Sequence, residues 1–440
     1  MIQPEKIRIS FITLGCRVNQ YESEAIANIL KRDGFQIVPF GEPADVTVVN
    51  TCTVTAESDR KSRQHIRRAI TQNPIGTVIV TGCFSEVSPD AALKIPGVKA
   101  VVGNGKKDKI PALIRKLVEE CPAEPQSLLA DIQKAPYDSL VLTVPRRARS
   151  YIKIEDGCEN RCAYCIIPAA RGKIRSKLPK TVLAEAAALA GAGCPEITLT
   201  GIETAAYGKD SGGAFSLSSL LPDLAKIPGI RRIALGSLDP SLMRDSFLET
   251  IASLPAVLPH FHLSLQSGSS SVLRRMRRPY NAVQAMNRIE TVRRFFPEAM
   301  MTADVIVGFP GETEKEFLET VTFCQSARFM HLHIFPYSIR KDTEAATMPD
   351  QVPDAVKKER AAHLAAMQRT VKTDILTEYV TAHRHTPVSL LVEEIKNGEA
   401  VGHSEHFVEI RVPKEGCNVG DIIDVFLMET DGEICRGTTK

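Results

Sequence analysis

The chain has 440 residues, 43% of them hydrophobic, enough for about three domains with their own cores. Fifty-five basic residues oppose 52 acidic ones, so the formal net charge of +3 excludes a uniformly basic or acidic binder, and only local charge is informative. No run of 18 apolar residues suggests a membrane span. The start, Met1-Ile2-Gln3-Pro4, lacks signal-peptide anatomy. Eleven irregularly spaced cysteines do not make a secreted disulfide framework, and the expected location is cytoplasmic, where thiols stay free for metal.

Ile7 to Leu14 is an apolar, β-branched run that reads as a buried parallel strand. The loop Gly15-Cys16-Arg17-Val18-Asn19-Gln20 follows, then a helix from Tyr21 to Asp33, stopped by Gly34. A strand over Asp45–Asn50 leads into Thr51-Cys52-Thr53, and the helix Glu57–Ile70 carries Arg60, Lys61, Arg63, Arg67 and Arg68. Thr77–Thr81 is the next strand, followed by Gly82-Cys83-Phe84. Val98–Val102 and a helix over Lys107–Glu119 continue the alternation. Strand and helix alternating in this way indicate an open parallel α/β sheet over residues 1–120. Cys16, Cys52 and Cys83 each fall just past the carboxyl end of a strand, the edge at which open α/β sheets bind their ligands. Any one of them alone reads as a structural thiol. Three thiolates converging at one edge instead suit three irons of a four-iron cluster, with one iron left open.

Residues 121–145 are richer in proline and read as a linker with a short strand or two. From Arg146 to Lys180, ten basic residues oppose three acidic ones, a local +7 that suits either a solvated face or a site attracting a polyanion. Inside this run Cys158, Cys162 and Cys165 stand at C-x3-C-x2-C with no fourth cysteine nearby. A structural cluster or zinc site would want four ligands; three on one tight loop leave a coordination position open for chemistry. Six strands (Tyr151–Glu155, Glu196–Thr200, Arg231–Leu235, His260–Leu265, Thr302–Val307 and His331–Phe335) alternate with helices such as Thr181–Ala190 and Thr313–Gln325. They predict an incomplete (β/α)6 barrel over 146–376 with its chemistry at the carboxyl ends of the strands. Leu273-Arg274-Arg275-Met276-Arg277-Arg278-Pro279-Tyr280 is the densest arginine cluster, suited to phosphate, with Tyr280 as a base-stacking candidate. Cys194 and Cys324 read as core thiols. A helix from Asp354 to about Tyr379 precedes five short strands between turns, which suit a small antiparallel β-barrel over 377–440. From Thr381 to Lys440 six basic residues face eleven acidic ones, so nucleic acid would need a local patch such as Arg384, His385, Lys396 and Arg411. Cys417 and Cys435 read as structural.

Gly-Cys-Arg-Val-Asn-Gln, Asn-Thr-Cys-Thr-Val-Thr and Thr-Gly-Cys, followed by the C-x3-C-x2-C loop, resemble the radical S-adenosylmethionine (SAM) methylthiotransferase family, and the resemblance covers nearly the whole chain. It implies two 4Fe–4S clusters. Cys158, Cys162 and Cys165 would hold the one that cleaves SAM to a 5′-deoxyadenosyl radical, and Cys16, Cys52 and Cys83 an auxiliary one that holds sulfur for methylation and delivery. It implies SAM contacts at Tyr164, Gly201, Glu203, Ser237, Asp239, Gln266, Ser267, Asp304 and Gly308, with Asp239 a shorter carboxylate than the glutamate the family usually carries there. It also implies that the terminal barrel is a TRAM-like RNA-binding domain. In the family the methylthio group goes to carbon 2 of a modified adenosine beside the tRNA anticodon (position 37), or to an aspartate of a ribosomal protein. The first motif and Asp59-Arg60-Lys61-Ser62-Arg63-Gln64 resemble the branch acting on threonylcarbamoyladenosine. The carboxylate of that substrate needs a cation, for which Arg17, Lys61 and Arg63 are the candidates; Arg277 and Arg278 are expected phosphate contacts. The implied partners are tRNA, an electron donor and a sulfur donor, with no membrane. The alternatives are an isopentenyladenosine substrate, or a noncatalytic metal-bound RNA-binding module, which iron, sulfide and SAM-cleavage assays would separate.

Overall fold

Segments rich in β-branched and apolar residues, such as Val46–Thr51 and Val98–Val102, cannot remain solvated, and they form the middle of a first sheet of six parallel strands. Its order is Gln36–Ile37, Arg8–Thr13, Val46–Thr51, Thr77–Gly82, Val98–Val102 and Gln126–Leu128. The computed structural model describes residues 4–120, 122 and 124–439; the Met1-Ile2-Gln3 start, the head of the expected linker at Cys121, and Lys440 lie outside the described residues. Val46–Thr51 is buried at every position, as a strand covered by helices on both faces must be. The expected linker does not hang free. Gln126–Leu128 is the sixth strand of this sheet, and Leu140 and Leu142 are fully buried in the core shared with the central domain.

The central domain has the six expected parallel strands in two groups of three. Arg149–Lys153, Glu196–Thr200 and Arg232–Leu235 form one, and His260–Gln266, Met300–Val307 and His331–Pro336 the other. Among the described residues, only bridges at Ile233–Val257 and Leu238–Leu263 join them, and the arc stays open between Arg149–Lys153 and His331–Pro336, an incomplete barrel. The 29-residue helix Asp354–Ala382 packs along the latter edge strand and carries the chain into the last domain.

There, Val388–Lys396, Glu399–Ser404, Glu409–Pro413, Ile422–Thr430 and Cys435–Thr438 close a five-stranded barrel. One pair departs from the expected antiparallel pattern: Glu409–Pro413 and Cys435–Thr438 run parallel. This barrel docks on the amino-terminal ends of the central strands. Arg149 pairs with Glu393, Arg232 donates to the Ser389 hydroxyl at 2.8 Å, and His260 stacks on Phe407 at 4.5 Å. The basic patch expected on it does not form. Lys396 and Arg411 share their groove with Glu393, Glu394, Glu399 and Glu409. No helix among the described residues is long and apolar enough to cross a membrane.

Candidate active site

Strand register brings the first three cysteines to one edge. Thr13 lies opposite Asn50 and Thr51 opposite Gly82, so the chain leaves three neighbouring strands at one level. Two glycines allow the close approach. Gly15 (φ +98°) would place a Cβ 3.0 Å from that of Cys52, and Gly82 (φ +101°) would place one 2.3 Å from the Thr51 carbonyl. The loop expected over 15–20 is instead the first turn of the helix Arg17–Arg32, with Cys16 at its N-cap. Asn19 ties the loops together, its amide donating to the Leu14 carbonyl at 2.7 Å and the Thr51 carbonyl at 2.9 Å. The Ser62 hydroxyl donates to the Cys52 carbonyl at 2.9 Å. Burial pushes the Cys52 thiol up to about 11 and raises Cys16, and a charged Cys83 would push both higher. Cys16 is accessible because it lines a cavity, although it lies deep between the domains. Three mutually repelling thiols in such a place become thiolates against a bound electrophile, which fits a metal cluster.

The second set lies on the loop after the short strand Glu155–Asp156. The Cys158 N–H donates to the Gly172 carbonyl at 3.0 Å and the Ala163 N–H to the Met276 carbonyl at 3.1 Å, which fixes the loop at both ends. Burial pushes Cys158 and Cys165 up to about 12. Arg278, expected at a phosphate, is found here. Its guanidinium is 4% exposed and donates to Cys162 Sγ (3.2 Å), Asp239 Oδ2 (2.6 Å) and the Ser264 carbonyl (3.1 Å). Tyr280 is buried too, its hydroxyl donating to the Leu265 carbonyl at 3.0 Å, so it stacks on no base. The cause is local: Met276 caps a helix and Arg277 adopts a left-handed turn (φ +59°), after which the chain runs inward. Arg275 forks onto Glu316, which leaves only Arg274 and Arg277 outside, the latter paired with Glu344. Arg278→Met should therefore cut SAM cleavage without altering the salt dependence of tRNA binding. An Arg274→Ala, Arg277→Ala double variant should flatten that dependence by up to about two log units of slope. A filter-binding titration across salt concentrations, beside a 5′-deoxyadenosine assay, checks both.

The residues expected at SAM separate into two groups. Gly201, Ser237 and Asp304 line the large cavity, and Tyr164, Gln266 and Asp304 a smaller one of about 190 Å3 beside it. Glu203 is buried next to Asp239 and Arg278; burial pushes it up to about 7, the Asp239 charge adds to this and Arg278 opposes it. Its Oε1, like that of Glu155, has no hydrogen-bond partner among the described residues, which fits a cationic ligand group there. Like Glu203 and Asp239, Ser267 and Gly308 line neither cavity. The Ser267 hydroxyl is committed to Thr320 (3.0 Å) and the Ser269 N–H (3.1 Å), and Gly308 packs so tightly on Lys357 that a Cβ would lie 2.3 Å from its Cγ. Both therefore hold the strand ends in place.

The large cavity, about 720 Å3, lies between all three domains. Cys16 and Arg17 enter it from the first, His260, His262, Asp304, His331 and His333 from the central barrel, and His403 and Phe407 from the last. The histidine wall has a sequence signal that composition hides: two His-x-His pairs on strands place both members of each pair on one face. His262 donates or accepts through Nδ1 with Thr302 at 2.8 Å, and its Nε2 lies 3.3 Å from Asp304. Burial lowers His331 and His333 and holds His260 well below the usual histidine range, so these three are neutral hydrogen-bonding groups at pH 7. Lys61 and Arg63 do not reach the cavity. Lys61 is exposed near Glu57, and Arg63 lies over the Phe84 ring.

A partial parallel barrel with three cysteines on the loop after its first strand defines a radical SAM protein, here with an α/β domain before it and a β-barrel after it. Residues 152–324 match the radical SAM superfamily, and residues 8–103 match a family described as uncharacterized protein family UPF0004. The chain is 40% identical over 429 residues to the threonylcarbamoyladenosine tRNA methylthiotransferase MtaB of Bacillus subtilis, covering 96% of this chain and 94% of that one. It is 36% identical over 363 residues to a tRNA-2-methylthio-N(6)-dimethylallyladenosine synthase of Nocardioides, covering 81% and 72%. Among solved structures, a radical SAM methyltransferase from Kitasatospora setae shares the fold, with a TM-score of 0.55 at 15% identity over 77% of this chain and 76% of that one. The chain belongs to the radical SAM methylthiotransferase family. It accordingly uses SAM and a 4Fe–4S cluster.

Proposed function

We propose that the chain transfers a methylthio group to carbon 2 of threonylcarbamoyladenosine at position 37 of tRNA. The proposal uses one cluster on Cys158, Cys162 and Cys165 and a second on Cys16, Cys52 and Cys83. Arg17 carries the substrate reading. It follows a proposed ligand directly, it lines the cavity, and no acid pairs with it among the described residues, whereas Lys372, the other cavity cation, pairs with Glu433. A threonylcarbamoyl group brings the missing carboxylate. A dimethylallyl group brings only hydrocarbon and would leave the guanidinium desolvated without a counter-charge. The name and full-length match of the Bacillus subtilis relative support the same assignment.

Bound SAM and the clusters supply the hydrogen-abstracting radical and the sulfur; binding, orientation and exclusion of water fall to the side chains. Glu203 would accept the ammonium group of SAM on its unpartnered oxygen. Arg278 fixes the cysteine loop by holding Cys162 against Asp239. His262 and His333, which line the same cavity as Arg17, offer hydrogen-bonding nitrogens to the ureido and hydroxyl groups of the substrate.

The test uses two tRNAs, one bearing threonylcarbamoyladenosine and one bearing dimethylallyladenosine, incubated with reconstituted protein, SAM, sulfide and a reductant. Nucleoside mass spectrometry should find the methylthio product only from the first. Conversion of the second at an equal rate would reject the substrate assignment and leave the family assignment intact.

A further inference from the structure

Arg171 was visible in the sequence only as one of ten basic residues, yet it is a fully buried side chain with every donor directed at a partner. It ends the short helix Ile167–Arg171, immediately after the radical loop, and reaches into the first domain. Nε donates to Cys83 Sγ at 3.3 Å. Nη1 donates to Glu22 Oε1 at 2.5 Å and faces Asp156 at 3.4 Å. Nη2 donates to Asn19 and to Glu22 Oε2 at 3.2 Å. Its neighbour Gly172 supplies the carbonyl that anchors the Cys158 N–H, so one turn of chain touches both cysteine sets. Asn104 braces the same turn, donating to the Ala170 carbonyl at 2.6 Å while its amide lies 3.8 Å from Cys83 Sγ.

Lys107, Lys153, Arg171 and Arg175 form one ion-paired group with Glu22, Asp138 and Asp156, four cations against three carboxylates. Glu86, nearby, accepts from the Asn104 N–H and makes no ion pair with these cations. The Arg171 guanidinium is the member of this group that lies against the Cys83 sulfur. A cluster held by three thiolates carries negative charge, and its reduction potential rises with nearby cations and with hydrogen bonds to its sulfurs.

We infer that Arg171 is a positioning residue of the auxiliary site, inserted by the radical core against Cys83, and that it raises the reduction potential of the cluster held there. The inference rests on the reading that Cys16, Cys52 and Cys83 hold a cluster. The same side chain makes the auxiliary site incomplete without the docked radical core, because Cys83, Glu22 and Lys107 belong to the first domain, and Arg171, Lys153 and Asp156 to the second.

The test is an EPR-monitored redox titration of the full chain in a Cys158→Ala, Cys162→Ala, Cys165→Ala background, in which only the auxiliary site can load. Absence of iron from that background would refute the two-cluster reading, and the Arg171 inference with it. With iron present, the result for Arg171 stands by itself. Arg171→Met should lower the reduced-to-oxidised ratio at a fixed potential roughly tenfold, a shift of about 59 mV for one electron. Arg171→Lys, which keeps the charge but loses the fork, should recover part of it. An unchanged midpoint in Arg171→Met at equal iron content overturns the inference. If Arg171→Met does not fold, Arg171→Lys decides: a lowered midpoint supports the inference, and a wild-type midpoint overturns it.

Discussion

Replacing Cys158, Cys162 and Cys165 together by alanine should abolish formation of 5′-deoxyadenosine and leave about half of the iron after anaerobic reconstitution. Both parts follow because the thiols of the two sets are gathered mainly by different contacts. The radical loop is anchored by Gly172 and Met276 and gathered by Arg278. The other set is fixed inside the first domain by Asn19, Ser62 and the sheet register. None of those latter contacts runs through the radical loop, so removing its thiols leaves the first set in place. Iron and sulfide quantification beside a 5′-deoxyadenosine assay reads both effects at once. Continued SAM cleavage by the triple variant would show that the cleaving cluster lies elsewhere, and undiminished iron would show that the loop holds none.

How far the sequence revealed this arrangement depended on the range of the interactions involved. Strands were legible where β-branched and apolar residues gather between turns: Val98–Val102 and Glu196–Thr200 lie where that pattern places them. The three first-domain cysteines were legible because strand ends are, and parallel strands share an edge. Charged residues were not. Of the ten basic side chains between Arg146 and Lys180, Arg149, Lys153, Arg171, Arg175 and Lys177 are drawn into ion pairs inside the protein, so half of the cations in this run are not surface charge. A charge run has no period that distinguishes a solvated face from an interface between domains. Arg171 and Cys83 stand 88 positions apart and meet only because two domains dock. For Arg278 the cause is different and lies within one domain: its inward turn depends on the left-handed backbone at Arg277, which no glycine marks in the sequence, and on a loop 116 positions earlier.

Arg17→Gln should slow methylthiolation of threonylcarbamoyl-tRNA by roughly tenfold or more while leaving SAM cleavage without substrate intact, because a charge-assisted hydrogen bond contributes about 1.5–3 kcal/mol. The structure narrows the choice of residue. Lys61 and Arg63 are away from the cavity, and Lys372 is engaged with Glu433. Arg17 is half-buried over the Tyr151 ring at 5.9 Å, close enough to His260 and His333 for its charge to lower both. That contact with Tyr151 involves no acid, so the guanidinium can take a bidentate carboxylate without breaking an ion pair. Glutamine keeps a donor and much of the stem, and removes the charge and the fork. The loss should therefore appear as poorer use of the carboxylate-bearing substrate, with cluster content unchanged. The measurement compares single-turnover methylthiolation rates at saturating SAM for wild type and variant matched in iron content. It is repeated on tRNA whose adenosine carries an uncharged carbamoyl group of similar size. The two proteins should differ on the first substrate and converge on the second. Equal rates on the first would remove Arg17 as the carboxylate partner and turn attention to the histidine wall around Asp304.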